Sequence, residues 1–124
     1  MVGKNILIVD DEAPIREMIA VALEMAGYDC QEAENAQQAH AMIVDRKPDL
    51  ILLDIMMPMI DGFEVCRKLK ADPNTQAIPI VMLSAASHAE SVQKGITAGA
   101  VDYIIKPFEP EKLLGLVEKI LAKP

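Results

Sequence analysis

A chain of 124 residues, 52% of them apolar, can close one hydrophobic core and is too apolar for a disordered tail. Its net charge of −7, without a basic stripe and with only 3% aromatic residues, argues against direct nucleic-acid binding, which needs clustered Lys and Arg. No apolar stretch approaches the ~18–20 residues that span a bilayer, no signal-peptide pattern is present, and Cys30 and Cys66 lack metal-ligand spacing, so one domain over 1–124 with reduced thiols in the cytoplasm is expected.

In chain order, Ile6-Leu7-Ile8-Val9 predicts a first strand over about 5–9. Pro14 then opens a helix, where a missing N–H costs nothing. Ile15, Met18, Ile19, Ala22, Leu23 and Met25 give that helix an apolar stripe, and Gly27 is its expected C′ residue. The run 28–33 is more polar and fits an edge strand. A second helix, about Asn35 to Asp45, turns Ala36, Ala39, Met42 and Ile43 inward.

Leu50-Ile51-Leu52-Leu53 predicts the third strand. The third helix, about Gly62 to Ala71, carries Phe63, Val65, Cys66 and Leu69 inward, and Asp72-Pro73-Asn74 stops it. A fourth strand is expected over 79–83. The fourth helix, about His88 to Ala98, is weak, with Val92 and Ile96 its only large apolar residues. A fifth strand over 101–105 leads to a last helix from Pro110, with Leu113, Leu114, Val117, Ile120 and Leu121. Four of the five runs are apolar almost throughout, as in strands covered on both faces. The alternation therefore predicts an α/β fold of (βα)5 type: a doubly wound, flavodoxin-like parallel sheet, for which the common order is 2-1-3-4-5.

In such sheets ligands bind beyond the carboxyl ends of the strands. Asp10 and Asp11 end the first strand, Asp54 the third, Ser84 the fourth, and Lys106 the fifth. With the first strand beside the third, three carboxylates would converge, and they repel one another unless a cation sits among them. A hard divalent ion and the Lys106 ammonium would balance them, a combination suited to phosphate chemistry. The bland reading of Asp10 and Asp11 is a helix cap, and that of Ser84 a turn residue.

The set Asp10-Asp11, Asp54, Ser84 and Lys106-Pro107-Phe108 resembles the receiver domain of bacterial two-component response regulators. So do Met57-Pro58, Asp61-Gly62 and the stretch from Ala98 to Tyr103. From Gly3 to Asp54 the likeness is strongest to receivers of the phosphate-regulon class, and after Asp54 to receivers of other classes. The resemblance implies that Asp54 accepts a phosphoryl group from a sensor histidine kinase or phosphotransfer protein. It also implies that Asp11, Asp54 and the backbone carbonyl of Met56 ligate Mg2+, with Asp10 acting through water. Lys106 would pair with phosphoryl oxygens, Ser84 would bond the new group, and Tyr103 would turn inward. The switched face would be the fourth helix, fifth strand and fifth helix, controlling an effector domain or protein partner, with homodimerisation on phosphorylation a further option. Val101 stands where the transcription-factor class has an acid, and Gly115-Leu116 where it has Ala-Arg, which puts a salt-bridged dimer face in doubt.

Three rivals compete. A haloacid-dehalogenase-type phosphatase needs an acid two residues after the nucleophile, where this chain has Met56. A flavodoxin-like FMN protein needs a phosphate-cradling loop after the first strand, where this chain has Asp10-Asp11-Glu12. A pseudo-receiver would lack some of the five key residue types, and all are present. The methionines around Pro58 could suggest a soft Cu(I) site, but loop packing explains them.

Overall fold

A strand that is apolar at every position needs cover on both sides, because its side chains alternate between faces. In the computed structural model, which describes residues 4–57, 60–84, 89–106 and 108–122, that cover comes from helices on each face. The elements are β1 (Asn5–Val9), α1 (Ala13–Met25), β2 (Asp29–Ala33), α2 (Ala36–Asp45) and β3 (Leu50–Asp54). A short ladder of β4 (Met56–Met57) and β5 (Ile60–Asp61) follows, then α3 (Gly62–Ala71) and β6 (Ile80–Ser84). The chain continues through α4 (Ala89–Ala98), β7 (Asp102–Ile105) and α5 (Pro110–Leu121). The main sheet is parallel with order β2-β1-β3-β6-β7, which is the expected 2-1-3-4-5 once the short ladder is set aside.

Alternation sorts the core into two layers. Leu7, Val9, Ile51, Leu53, Ile80 and Met82 pack with Ala39 and Ile43 of α2, Phe63 and Cys66 of α3 and Ala98 of α4. Ile6, Ile8, Leu50, Leu52, Val81 and Leu83 pack with Ile19 and Leu23 of α1 and Leu113 and Val117 of α5. Each fully buried aliphatic side chain contributes roughly 1.5–3 kcal/mol relative to exposure.

Pro14 lies at the start of α1, as its missing N–H allows, and Gly27 adopts φ +98° after the C-cap residue Ala26. Two helices leave in solvent apolar residues that their sequences suggest are inward, and the side chain of Val92 lies outside the described part of the structure. In α1, Ile19, Ala20 and Leu23 are buried, while Met18 and Met25 remain exposed. In α4, Ile96 points to solvent. Gly95 and Ala98 are buried instead, and a Cβ at Gly95 would meet Met82 at 3.4 Å. Small residues let this helix lie close to the sheet. Lys70 ties α3 to the next connection: its ammonium donates to the carbonyls of Gln76 (3.0 Å) and Ile78 (2.5 Å). Among the described residues, no helix is long and apolar enough to cross a membrane.

Candidate functional site

Strand register builds the site. Val9 pairs with Leu53, so the next residue on each strand, Asp10 and Asp54, stands at the same edge. Asp54 pairs with Leu83, and Ser84 with Ile105, which places Lys106 just beyond the end of the neighbouring ladder. Asp10 is fully buried and Asp54 is 3% exposed. Burial of two carboxylates is costly unless they meet a cation, and Lys106 supplies one. Its ammonium lies 2.8 Å from Asp10 Oδ2, 3.3 Å from Glu12 Oε1 and 3.4 Å from Asp54 Oδ2. Burial alone would lower the Lys106 pKa. The hydrogen bond to Asp10, the charges of Asp54 and Asp10, and the bond to Glu12 outweigh burial and hold the ammonium above its ordinary value.

The turn after β1 is held from several sides. Asp10 Oδ1 accepts the Glu12 backbone N–H at 2.9 Å, so this carboxylate shapes the turn as well as the site. Arg16 Nη1 donates to the Asp10 carbonyl at 2.7 Å, and its Nε donates to Glu32 at 3.1 Å. The other side of the site rests on Gly62, whose N–H donates to the Ile55 carbonyl at 3.1 Å. A Cβ there would come within 2.7 Å of the Asp54 carbonyl oxygen and of Ile55 Cα, so the backbone following the acid approaches α3 too closely for any side chain. Asp61 caps α3 by accepting the Phe63 N–H at 2.9 Å.

Of the residues expected from sequence, Asp10, Asp54 and Lys106 come together. The acidic cluster also includes Glu12: one oxygen each from Asp10, Glu12 and Asp54 lie within 4.8 Å of one another. Asp11 is half-buried outside that cluster. Met56 lies in β4, opposite Asp61. Ser84 ends β6, while its hydroxyl, with Pro58, Ala85, Ala86, His88 and Pro107, lies outside the described part of the structure. Tyr103 is 36% exposed on the edge strand β7. Sequence reasoning missed Glu12 and Arg16 as site residues. Their signal was position: Glu12 adjoins the acidic pair, and Arg16 follows one helical turn later. The cysteine thiols are protonated at neutral pH. Burial, with Glu24, Glu32 and Asp29 nearby, pushes Cys30 to about 12, and burial also raises Cys66.

The donor set fits a hard divalent cation. Three carboxylate oxygens lie close together there, and with a single ammonium among them the cluster keeps two negative charges in excess. The response regulator receiver domain family matches residues 6–118. The chain belongs to that family. Receivers of this kind are signalling modules that gain and lose a phosphoryl group themselves rather than enzymes acting on a separate substrate. The acidic cluster of Asp10, Glu12 and Asp54 is a receiver-type phosphoacceptor site suited to phosphotransfer signalling.

The phosphate regulon transcriptional regulatory protein PhoB of Pseudomonas aeruginosa is 62% identical over 123 residues, covering 99% of this chain and 54% of that protein. Identity on this scale cannot be supplied by the stretch before Asp54 alone, so the likeness to this class continues beyond it. The chain thus spans about half the length of the curated relatives it matches. Among solved structures, the chemotaxis protein CheY4 of Vibrio cholerae superposes with a TM-score of 0.91 at 32% identity, covering 96% of this chain and 99% of that one. The receiver domain of NtrX from Brucella abortus gives 0.89 at 35% identity, covering 96% and 99%. Membership of the receiver family decides against the phosphatase and flavoprotein readings.

Proposed function

We propose that this chain, as a receiver domain over 1–124, accepts a phosphoryl group on Asp54 from a phosphohistidine of a sensor kinase or phosphotransfer protein. The observation that carries the reading is the Lys106 ammonium 3.4 Å from a nearly buried Asp54 carboxylate at the end of a central strand. Asp54 Oδ attacks phosphorus, the O–P bond forms, and the P–N bond to the donor imidazole breaks. Lys106, already beside Asp54, pairs with the phosphoryl oxygens as charge builds on them. The acyl phosphate so formed is labile, and the signal decays by its hydrolysis.

Mg2+ would be held by Asp11, Asp54 and the Met56 carbonyl, with Asp10 acting through water, and would neutralise charge on the transferring group. Ser84 would donate its hydroxyl to the phosphoryl group. Tyr103, on the adjoining edge strand, would turn inward and reshape the face formed by α4, β7 and α5. That face would act on an effector domain or protein partner, or pair two copies. Relatives named as transcriptional regulators favour an output on transcription, with DNA contacted by an effector rather than by this acidic segment. The cytoplasm is the compartment this role requires.

Incubation with Mg2+ and acetyl phosphate, read by intact mass, tests the assignment. One added phosphoryl group that disappears in Asp54→Asn and without Mg2+ is expected. No added mass, with metal binding shown separately, would leave a pseudo-receiver whose output does not depend on phosphate.

A further inference from the structure

Glu12 has no part in the phosphotransfer chemistry proposed for Asp54, yet it touches the same ammonium. It is the N-cap residue of α1 and makes no side-chain capping bond, so the helix does not engage its carboxylate. That carboxylate lies 3.3 Å from Lys106 Nζ with its side chain 56% exposed, whereas the Asp10 and Asp54 side chains are 0% and 4% exposed. Seen from solvent, Glu12 is therefore the outermost charge of the cluster. Lys106 itself is only 9% exposed.

We infer that Glu12 is an electrostatic gate that sets which phosphodonors reach Asp54, disfavouring small donors in proportion to their negative charge. This rests on Asp54 being the acceptor. Two effects act in the same direction. A carboxylate at the mouth repels an approaching anion, and exposed charges act on association rates through just such local fields. The same carboxylate draws Lys106 towards Asp10 and itself, and so competes with the phosphoryl oxygens for the ammonium. Glu12 acts through Lys106 and through space, which makes it a positioning and specificity residue rather than a catalytic one.

The experiment compares two small donors at neutral pH and saturating Mg2+. Acetyl phosphate is a dianion; its P–O bond to acetate breaks as Asp54 Oδ bonds phosphorus. Phosphoramidate is a monoanion overall, with its nitrogen already protonated; its P–N bond breaks and ammonia leaves. Initial rates of phosphoryl uptake are measured for wild type, Glu12→Gln and Glu12→Asp. Glu12→Gln is expected to raise the acetyl phosphate rate roughly three- to tenfold and the phosphoramidate rate distinctly less. Added salt is expected to shrink the difference, and Glu12→Asp to restore wild-type donor preference. A structural role would not produce a charge-dependent donor preference that salt removes. Equal changes with both donors, or no change, would overturn the gate while leaving Asp54 as acceptor, because the wild type is labelled in the same assay. Failure of wild type to take up phosphoryl from either donor would overturn both readings. Thermal unfolding of Glu12→Gln confirms that the variant is folded.

Discussion

The two edges of the sheet hold their carboxylates in different company. Where the strands begin, Asp49 Oδ2 accepts the Asn5 backbone N–H at 2.7 Å, and the Asp49 N–H returns to the Asn5 carbonyl at 2.7 Å. Asn5 Nδ2 donates to Gln31 at 3.1 Å, and Asp49 stays in contact with solvent. At that edge Asp49 meets neutral donors and water, and Asp29, at the start of β2, pairs with Arg46 at 3.5 Å. Where the strands end, three carboxylates share one ammonium and two of them are buried. The first edge ties strands together; the second holds charge in excess and is stabilised by whatever cation arrives. Burial and charge balance, not the mere presence of acids, separate a structural edge from a reactive one.

The sharpest way to break the comparison is to remove the ammonium. Lys106→Met should cost roughly 2–3 kcal/mol at neutral pH without divalent metal, read by urea unfolding, because it leaves buried carboxylates uncompensated. The pH dependence has a definite sign. The folded pKa of Lys106 is raised above its unfolded value of 10.5, so its stabilisation is fully present below 10.5 and lost as pH rises through the folded value. The stability gap between wild type and Lys106→Met should therefore hold through neutral pH and close only above 10.5. A gap that closed under mildly alkaline conditions would refute the pairing.

Gly62→Ala tests the support of the reactive edge from the other side. The added methyl would press on the backbone of Asp54 and Ile55, so a loss of about 2 kcal/mol in denaturant midpoint analysis is expected, with slower phosphoryl uptake. Wild-type uptake and stability in this variant would show that the close approach is not needed.

Metal addition should distinguish the edges directly. At ten times its dissociation constant, Mg2+ should stabilise the protein by about 1.4 kcal/mol, measured by thermal shift and reversed with chelator. Asp54→Asn should remove most of that gain, and Asp49→Asn none of it. The smallest effect is expected where the strands begin: Asp49→Ala, which removes the acceptor of the Asn5 N–H, should cost about 1 kcal/mol, the net value of one hydrogen bond, with phosphoryl uptake unchanged. A larger loss of uptake there would show the two edges to be coupled.

Much of the fold is legible in the order of residues along the chain. The continuous apolar runs, Pro14 and Gly27 mark strands and helix ends because those signals are local: side-chain periodicity, a missing N–H, a positive φ. Boundaries differ by a residue, as at β2, which starts at Asp29, and β6, which ends at Ser84. The strand-end positions of Asp10, Asp54 and Lys106 are legible for the same reason. Less legible is which face of an amphipathic helix wins. Met18, Met25 and Ile96 are as apolar as their buried neighbours, and only the rotation of α1 and α4 on the sheet leaves them in solvent.

By itself, then, the sequence determined the order of strands and helices and the placing of acids and a lysine at strand ends, since each depends on neighbours along the chain. Only the tertiary structure decided that Glu12 joins Asp10 and Asp54 around Lys106 while Asp11 stands aside, and that Gly62 must lack a side chain. The first depends on residues far apart in sequence, with Lys106 and Asp10 separated by 96 positions, and the second on how the chain after β3 folds back against the start of α3. Their distances are set by strand register and by helices packed on both faces, which no local pattern encodes.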